Sequence, residues 1–195
     1  KLWQIELRQV PLTREKRTLC AEDAIKLCDE NTICVVGIAG VTWTGLNDDI
    51  EELDKELDKY NAHTGYNIPI HVDGASGGFI LPFIKPHHKW DFRLKWVASI
   101  STSGHKFGLV YPGLGWVVWR DKSYLPEEMS FSVNYLGAEV TQVGLNFSRP
   151  AAQILGQYYN FIRLGRKGYH SIHNNSMEIA RYCHKRIGEM KCFEN

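Results

Sequence analysis

Short apolar runs rich in β-branched residues alternate with segments of helical periodicity along most of the chain. The runs are Trp3–Leu7, Ile33–Ile38, Ile68–Val72, Trp96–Ile100 and Gly115–Trp119. Between them, Ala21–Glu30 and Asp48–Asn61 carry apolar residues at the spacing of one helix face. Strands that alternate with helices predict βαβ units, so we expect an α/β fold with a mostly parallel sheet flanked by helices.

Two segments depart from this alternation. Only a short connection precedes Gly115–Trp119, which is too short for a crossover, so we expect this strand to pair antiparallel with the one before it. The segment Asp121–Val143 has little periodicity, and we expect it to be irregular or mobile.

The pattern becomes helical after Pro150, which suits the first turn of a helix. Long helices are predicted over Ala151–Leu164 and about Tyr169–Met190. The first of these should bury an apolar stripe made of Ile154, Tyr158, Phe161 and Ile162.

Composition excludes several classes of protein. The 195 residues suffice for one globular domain, and a net charge of +1 provides no basic surface for nucleic acid or an anionic membrane. No apolar run approaches the roughly 20 residues that span a bilayer. Five cysteines without disulfide or zinc spacing, and no signal peptide, indicate reduced thiols in a cytoplasmic protein. The chain starts at Lys1 rather than methionine, so we expect a fragment.

Lys106 lies in a small, polar loop, Ser103-Gly104-His105-Lys106-Phe107-Gly108, directly after the fourth apolar run. A lysine that is desolvated or crowded by other cations shifts towards the neutral amine, which condenses with aldehydes. The loop alone leaves a second interpretation open, that of a surface lysine beside a glycine turn.

Asp73 follows the third run, in His71-Val72-Asp73-Gly74-Ala75-Ser76-Gly77-Gly78. Ligands of open α/β sheets bind beyond the carboxyl ends of the strands, so Asp73 and Lys106 are candidates for a single site. Pyridoxal phosphate (PLP) uses both groups, a lysine for the Schiff base and an acid that keeps the pyridine nitrogen protonated. Taken alone, Asp73 would also suit a turn or a helix N-cap.

Several motifs resemble the glutamate decarboxylases, a family of the group II PLP-dependent decarboxylases. In order, they are Val41-Thr42-Trp43-Thr44-Gly45, His71–Gly78, Ser103–Gly108, Gly113–Arg120, Asn146-Phe147-Ser148-Arg149-Pro150 and Gln157-Tyr158-Tyr159. The resemblance implies part of the large domain of a fold-type I PLP-dependent transferase, and decarboxylation of L-glutamate to 4-aminobutyrate and carbon dioxide. Residues 1–150 would be the second half of that domain, and 151–195 would lead towards the small domain.

The resemblance also assigns individual roles. Lys106 matches the Schiff-base lysine, Asp73 the partner of the pyridine nitrogen, and Ala75 the small residue on which the cofactor ring rests. Gly74 stands where the family more often has alanine, a change that loosens the backbone beside Asp73.

Five further positions match cofactor contacts. Thr42 corresponds to a threonine near the polar substituents of the cofactor, and Ser103 and His105 to contacts of its phosphate. Phe147 and Ser148 resemble a segment that reaches the active site of a neighbouring subunit, which implies a homo-oligomer with shared sites. The alternatives are a strand-end threonine that caps a loop, a structural histidine, and a strand or loop that leads into the Pro150 helix.

Other interpretations remain at this stage. Ser103-x-x-Lys106 fits a Ser–Lys nucleophile pattern but lacks its companion motifs. His71-x-Asp73 and His87-His88 are possible metal ligands without a completing shell, so we expect no metal. The Lys–Asp pair would equally serve another amino-acid decarboxylase or a PLP lyase. The phosphate-binding serines of the family cannot be placed in this chain, so by itself it would be non-catalytic.

Overall fold

Four strands form a mixed sheet in the order β1-β2-β3-β4. The computed structural model describes residues 4–125, 127–135, 137–142, 149–190 and 192. The strands are β1 (Val35–Ile38), β2 (Ile70–Asp73), β3 (Val97–Ser103) and β4 (Gly115–Trp119). The first three are parallel and β4 is antiparallel to β3, which confirms the predicted mostly parallel sheet and its antiparallel exception.

The helices are α1 (Ala21–Lys26), α2 (Ile50–Thr64), α3 (Leu81–Ile84) and α4 (Ala152–Glu189). None in the described part of the chain is long and apolar enough to cross a membrane. The predicted strand at Trp3–Leu7 is wrong for its described residues, 4–7, which form no strand. Ile5 and Leu7 are exposed there, and an apolar run without a partner strand has no ladder to join.

Helix α2 provides the main core contact with the sheet. Asp49 caps its first turn by accepting the backbone N–H of Glu52 at 2.9 Å, and Gly65 ends it at φ +78°. Ile50, Leu53 and Leu57 are fully buried with the strand residues Ile70, Val72 and Val97. Burying each such side chain stabilises the fold by about 1.5–3 kcal/mol.

Buried polar side chains fix α2 against the strand ends. Asp48 accepts the backbone N–H groups of Leu19 and Ile38, both at 2.7 Å. Asp54 accepts the N–H of Trp96 at 2.7 Å, immediately before β3. These bonds hold β1 and β3 in place relative to the same helix, and therefore help to align the strands.

Helix α4 is two helical segments joined at Gly165, whose φ of 55° and ψ of −168° are essentially restricted to glycine. The two predicted helices are confirmed in that sense, but the predicted buried stripe is wrong. Its four residues are 40–67% exposed, whereas the buried residues of α4 are Gln157, Tyr169 and His173. The helix turns a polar face inward because its partner is a loop with backbone carbonyls to satisfy.

The prediction of an irregular segment over Asp121–Val143 is also wrong for its described residues. A β-hairpin forms from β5 (Phe131–Tyr135) and β6 (Ala138–Gln142), after short 3₁₀ turns at Lys122–Tyr124 and Glu127–Met129. Gly137, at φ +78°, supplies the left-handed conformation in the connection.

Candidate active site

The segments that follow β2 and β3 are joined by backbone hydrogen bonds. Gly74 donates to the carbonyl of Ser101 at 2.8 Å, and Ser103 donates to the carbonyl of Ala75 at 3.2 Å. The β2 residue Asp73 pairs in register with Ser101 of β3. The structure therefore brings the Asp73 motif and the Lys106 loop together at one edge of the sheet, as the sequence predicted.

The segment after β1 joins the same edge. Ala39 donates to the carbonyl of Asp73, and its own carbonyl accepts the N–H of Gly77, both at 2.9 Å. Thr42 lies in the next turn with its side chain exposed. A Cβ at Gly77 would meet the Ala39 carbonyl oxygen at 2.5 Å, so this approach of β1 to the segment after β2 requires glycine.

Asp73 is half-buried, and a turn of its own chain fixes its carboxylate. Its Oδ1 accepts the backbone N–H of Ala75 at 2.9 Å, the geometry of an Asx turn. The other oxygen has no hydrogen bond with the described residues. The turn alternative is thus correct for one oxygen, while the second stays available to a ligand.

His71, on the same strand face as Asp73, lies between two serines. Its Nδ1 is 2.7 Å from Ser99 Oγ and its Nε2 3.2 Å from Ser101 Oγ. Burial lowers the pKa of His71, and the nearby charge of Asp73 opposes that shift only in part. With both ring nitrogens engaged, His71 is poorly placed as a metal ligand. No group of three or more potential ligands is present in the described part of the chain.

The Lys106 side chain is exposed and makes no hydrogen bond or ion pair with the residues the structure describes. Its backbone lies in a turn, in which the Lys106 N–H donates to the carbonyl of Ser103 at 3.3 Å. The Ser–Lys nucleophile pattern requires a serine at the start of a helix. Ser103 is instead the last residue of β3. His105 places Nδ1 3.2 Å from the Leu114 carbonyl, which leaves Nε2 for another partner.

Sequence reasoning missed a group of buried polar residues behind this loop. Gln157, Tyr169 and His173 of α4 contact the backbone of Phe107 and Gly108. Gln157 begins a motif that contributed to the resemblance, but nothing in its spacing connects it with Lys106. Phe147 and Ser148 lie outside the described residues.

The groups at this edge suit pyridoxal phosphate. Lys106 offers an amine free of any described ion-pair partner, and Asp73 offers a carboxylate oxygen without a described hydrogen bond. The hydroxyls of Thr42 and Ser103 are hydrogen-bond donors on the same segments, and the Nε2 of His105 is a further polar atom there. An amine and a carboxylate at adjacent carboxyl ends of parallel strands define a site of the PLP-binding α/β class.

Comparison with known proteins gives the family. Residues 1–194 match the pyridoxal-dependent decarboxylase conserved domain. The chain therefore belongs to the pyridoxal-dependent decarboxylase family, whose cofactor is pyridoxal phosphate.

The chain is 53% identical over 192 residues to glutamate decarboxylase of Lactococcus lactis subsp. cremoris, covering 98% of this chain and 41% of that protein. The structure of glutamate decarboxylase from Lactobacillus brevis matches with a TM-score of 0.93 at 48% identity, covering 97% of this chain and 43% of that one. A sphingosine-1-phosphate lyase of Burkholderia pseudomallei matches less well, with a TM-score of 0.65 at 31% identity over 81% of this chain and 36% of that one. The chain thus spans about 41% of the length of the curated relative.

Proposed function

We propose that this chain carries the catalytic lysine and the ring-facing carboxylate of an enzyme that decarboxylates L-glutamate to 4-aminobutyrate. The observation that carries the proposal is the junction of β2 and β3, which joins the segments of Asp73 and Lys106 at one sheet edge. The identity of 53% to a glutamate decarboxylase supports the choice of substrate. In this reaction the α-carboxylate leaves as carbon dioxide and one proton takes its place on the same carbon.

When bound, pyridoxal phosphate supplies an aldehyde that condenses with amines and a protonated ring that accepts the electron pair left by carbon dioxide. Asp73 holds the proton at the ring nitrogen, because a nearby carboxylate favours the charged form of a base. Lys106 anchors the cofactor through Nζ, and its amine becomes available to carry a proton after substrate replaces it.

Surrounding residues complete the proposed site. Ala75 provides a small side chain against the ring, where bulk would displace it. Thr42 and Ser103 donate hydrogen bonds from their hydroxyls to the polar substituents and phosphate, and the imidazole of His105 contacts the phosphate. These groups, at the end of β3 and on the loops after the strands, orient the cofactor relative to Lys106.

We also propose that the enzyme is a cytoplasmic homo-oligomer in which Phe147 and Ser148 reach the site of a neighbouring subunit. All five cysteines are free, as is usual in the cytosol. A mixing experiment tests the sharing of sites. Full-length Lys106→Ala and Ser148→Ala proteins, each weakly active or inactive alone, should regain activity when they are unfolded and refolded together. A mixture no more active than its components would contradict shared sites.

Borohydride reduction of the full-length protein loaded with cofactor tests the assignment of Lys106. Peptide mass analysis should find the reduced cofactor on Lys106, and Lys106→Arg should abolish both labelling and glutamate turnover. Lys122→Arg, at an exposed lysine outside the proposed site, should change neither. Labelling that persists in Lys106→Arg would refute the assignment.

Substrate choice is tested by comparing glutamate, aspartate and aromatic amino acids, with kcat/KM measured for each. Glutamate should be preferred over the others, and carbon dioxide and 4-aminobutyrate should form in equal amounts. Cofactor labelling at Lys106 together with preference for another amino acid, or aldehyde-forming cleavage, would keep the site and refute the substrate.

A further inference from the structure

The carbonyl of Gly108, two residues after Lys106, accepts two hydrogen bonds from buried side chains of α4. Gln157 Nε2 donates to it at 2.8 Å and Tyr169 Oη at 2.9 Å. Gln157 Nε2 also donates to Tyr169 Oη at 2.9 Å, which closes a triangle of three hydrogen bonds. We call Gln157, Tyr169 and the Gly108 carbonyl the α4 clamp.

The α4 clamp is built into the interior. Gln157 is 0% and Tyr169 1% exposed, so neither side chain has water as an alternative partner. Gln157 Oε1 has no hydrogen bond with the described residues, and it lies 2.7 Å from the Cβ positions that Gly104 and Gly108 would have. The two glycines that flank Lys106 therefore leave room for the side chain of Gln157.

The clamp also faces a strained backbone. Leu109 adopts φ +66°, a left-handed conformation that is uncommon for a residue other than glycine. Its carbonyl accepts a hydrogen bond from Asn160 Nδ2 at 2.8 Å, again from α4. Such a conformation persists only where surrounding contacts hold it, and it occurs often beside active sites.

Ring contacts fix the clamp from the far side. Tyr169 stacks on Phe83 of α3 with ring centroids 4.8 Å apart, and its neighbour His173 meets Phe107 edge-on at 6.0 Å. The break at Gly165 lies between Gln157 and Tyr169, so one donor comes from each helical segment of α4. The chain thus brings two helical segments together on a single carbonyl beside Lys106.

We propose that Gln157 and Tyr169 are positioning residues, which hold the Lys106 loop in the conformation needed for catalysis. Neither touches the reacting atoms; both act through the Gly108 carbonyl. The inference rests on the proposed function, since Lys106 is taken as the cofactor lysine. A small displacement of a catalytic group is sufficient to slow turnover, by about 100-fold for 1 Å.

Tyr169→Phe in the full-length protein is the most selective test, because it removes one hydroxyl and leaves the rings packed. Tyr158→Phe is the matched control, since it removes the hydroxyl of an exposed tyrosine on the same helix. Tyr169→Phe removes two of the three hydrogen bonds, one of them to the Gly108 carbonyl. It should lower kcat about tenfold, the effect of losing that one bond to the loop at the upper end of the usual range, with KM for glutamate little changed. Tyr158→Phe should leave both constants as in the wild type.

A second readout does not depend on activity. In protein stripped of cofactor, amide hydrogen exchange in peptides covering residues 104–110 should be faster in Tyr169→Phe than in wild type or Tyr158→Phe. Exchange in β2 should stay unchanged. Gln157→Leu likewise removes two of the three hydrogen bonds, one of them to the Gly108 carbonyl, at similar volume. It should give an effect in the same direction, and it takes the place of Tyr169→Phe if that variant does not fold.

Unchanged kcat and unchanged loop exchange in a folded variant would overturn the proposal, even if the melting temperature falls, because that outcome describes a purely structural role. If the wild type proves inactive on glutamate, the proposed function fails separately. The rate of borohydride labelling at Lys106 then replaces kcat. A rate equal in Tyr169→Phe and wild type would refute the clamp.

Discussion

Gly108→Ala should destabilise the protein, because the new methyl group would overlap neighbouring atoms. An ideal Cβ at this position would lie 2.5 Å from the Gly104 carbonyl oxygen, 2.7 Å from Gly104 Cα and 2.7 Å from Gln157 Oε1. Real Cβ contacts are longer than all three distances. Two of the contacting atoms belong to the backbone, so no side-chain rotation relieves them.

The structure also limits how far those neighbours can move. The Gly104 carbonyl accepts the N–H of Val110 at 3.3 Å, and the Gly104 N–H donates to the carbonyl of Leu114 at 3.2 Å. A shift that accommodates the methyl group must stretch these bonds or the α4 clamp. Overpacking of this kind costs about 1–3 kcal/mol.

Denaturant unfolding of the full-length protein measures this cost. Gly115→Ala is the matched control, since no atom lies within 4 Å of its Cβ position. The same change should be neutral or stabilise by up to about 1 kcal/mol there, because alanine narrows the unfolded ensemble. If Gly108→Ala is as stable as Gly115→Ala, the loop is not packed against α4 as described.

Three further predictions concern α4 and α2. Gly165→Ala should lower the free energy of unfolding by about 1–3 kcal/mol, because φ 55° and ψ −168° are a strained backbone conformation for any residue with a side chain. A rise in melting temperature would contradict this. Asp54→Ala should lower the free energy of unfolding by about 1–3 kcal/mol, because it leaves the partly buried N–H of Trp96 without its acceptor. Asp58→Ala, at a more exposed site on the same helix, should lower it less. Burial lowers the pKa of His173, so the unfolded chain binds its proton first as the pH falls below about 6.5, and the folded state loses stability. His173→Gln should therefore reduce the loss of unfolding free energy between pH 7 and pH 5. If the variant loses as much as the wild type over this range, His173 is not its cause.

The strands and their ends were predictable because local signals and the global fold agree there. The runs ending near Val72 and Ile100 combine apolar content with short polar loops, and each loop begins within three residues of its observed position. The antiparallel pairing of Gly115–Trp119 followed from the length of its connection alone. Chain geometry permits no crossover there, whatever the tertiary context.

The wrong predictions have a common physical cause, because the secondary structure of each segment depends on the part of the chain with which it pairs. The run Trp3–Leu7 has strand composition, but its described residues lie against no strand. The hairpin over Phe131–Tyr135 and Ala138–Gln142 depends on pairing that neither half signals strongly alone. Contacts between segments that are distant in sequence, and not local propensity, decide the structure of these segments.

Helix α4 shows most clearly why the site could be predicted only in part. Apolar periodicity predicts that Tyr158 is buried, yet the structure buries its neighbour Gln157 instead. The Gly108 carbonyl needs hydrogen-bond donors, and the side chain there must fit against Gly104 and Gly108. The residues proposed for the chemistry, Lys106 and Asp73, are recognisable from their types and positions near strand ends. The residues that hold them are chosen by shape and by unsatisfied backbone groups, which exist only after folding. Substitutions at Gln157 and Tyr169 should thus alter catalysis through the geometry of Lys106, although neither residue belongs to a type associated with decarboxylation.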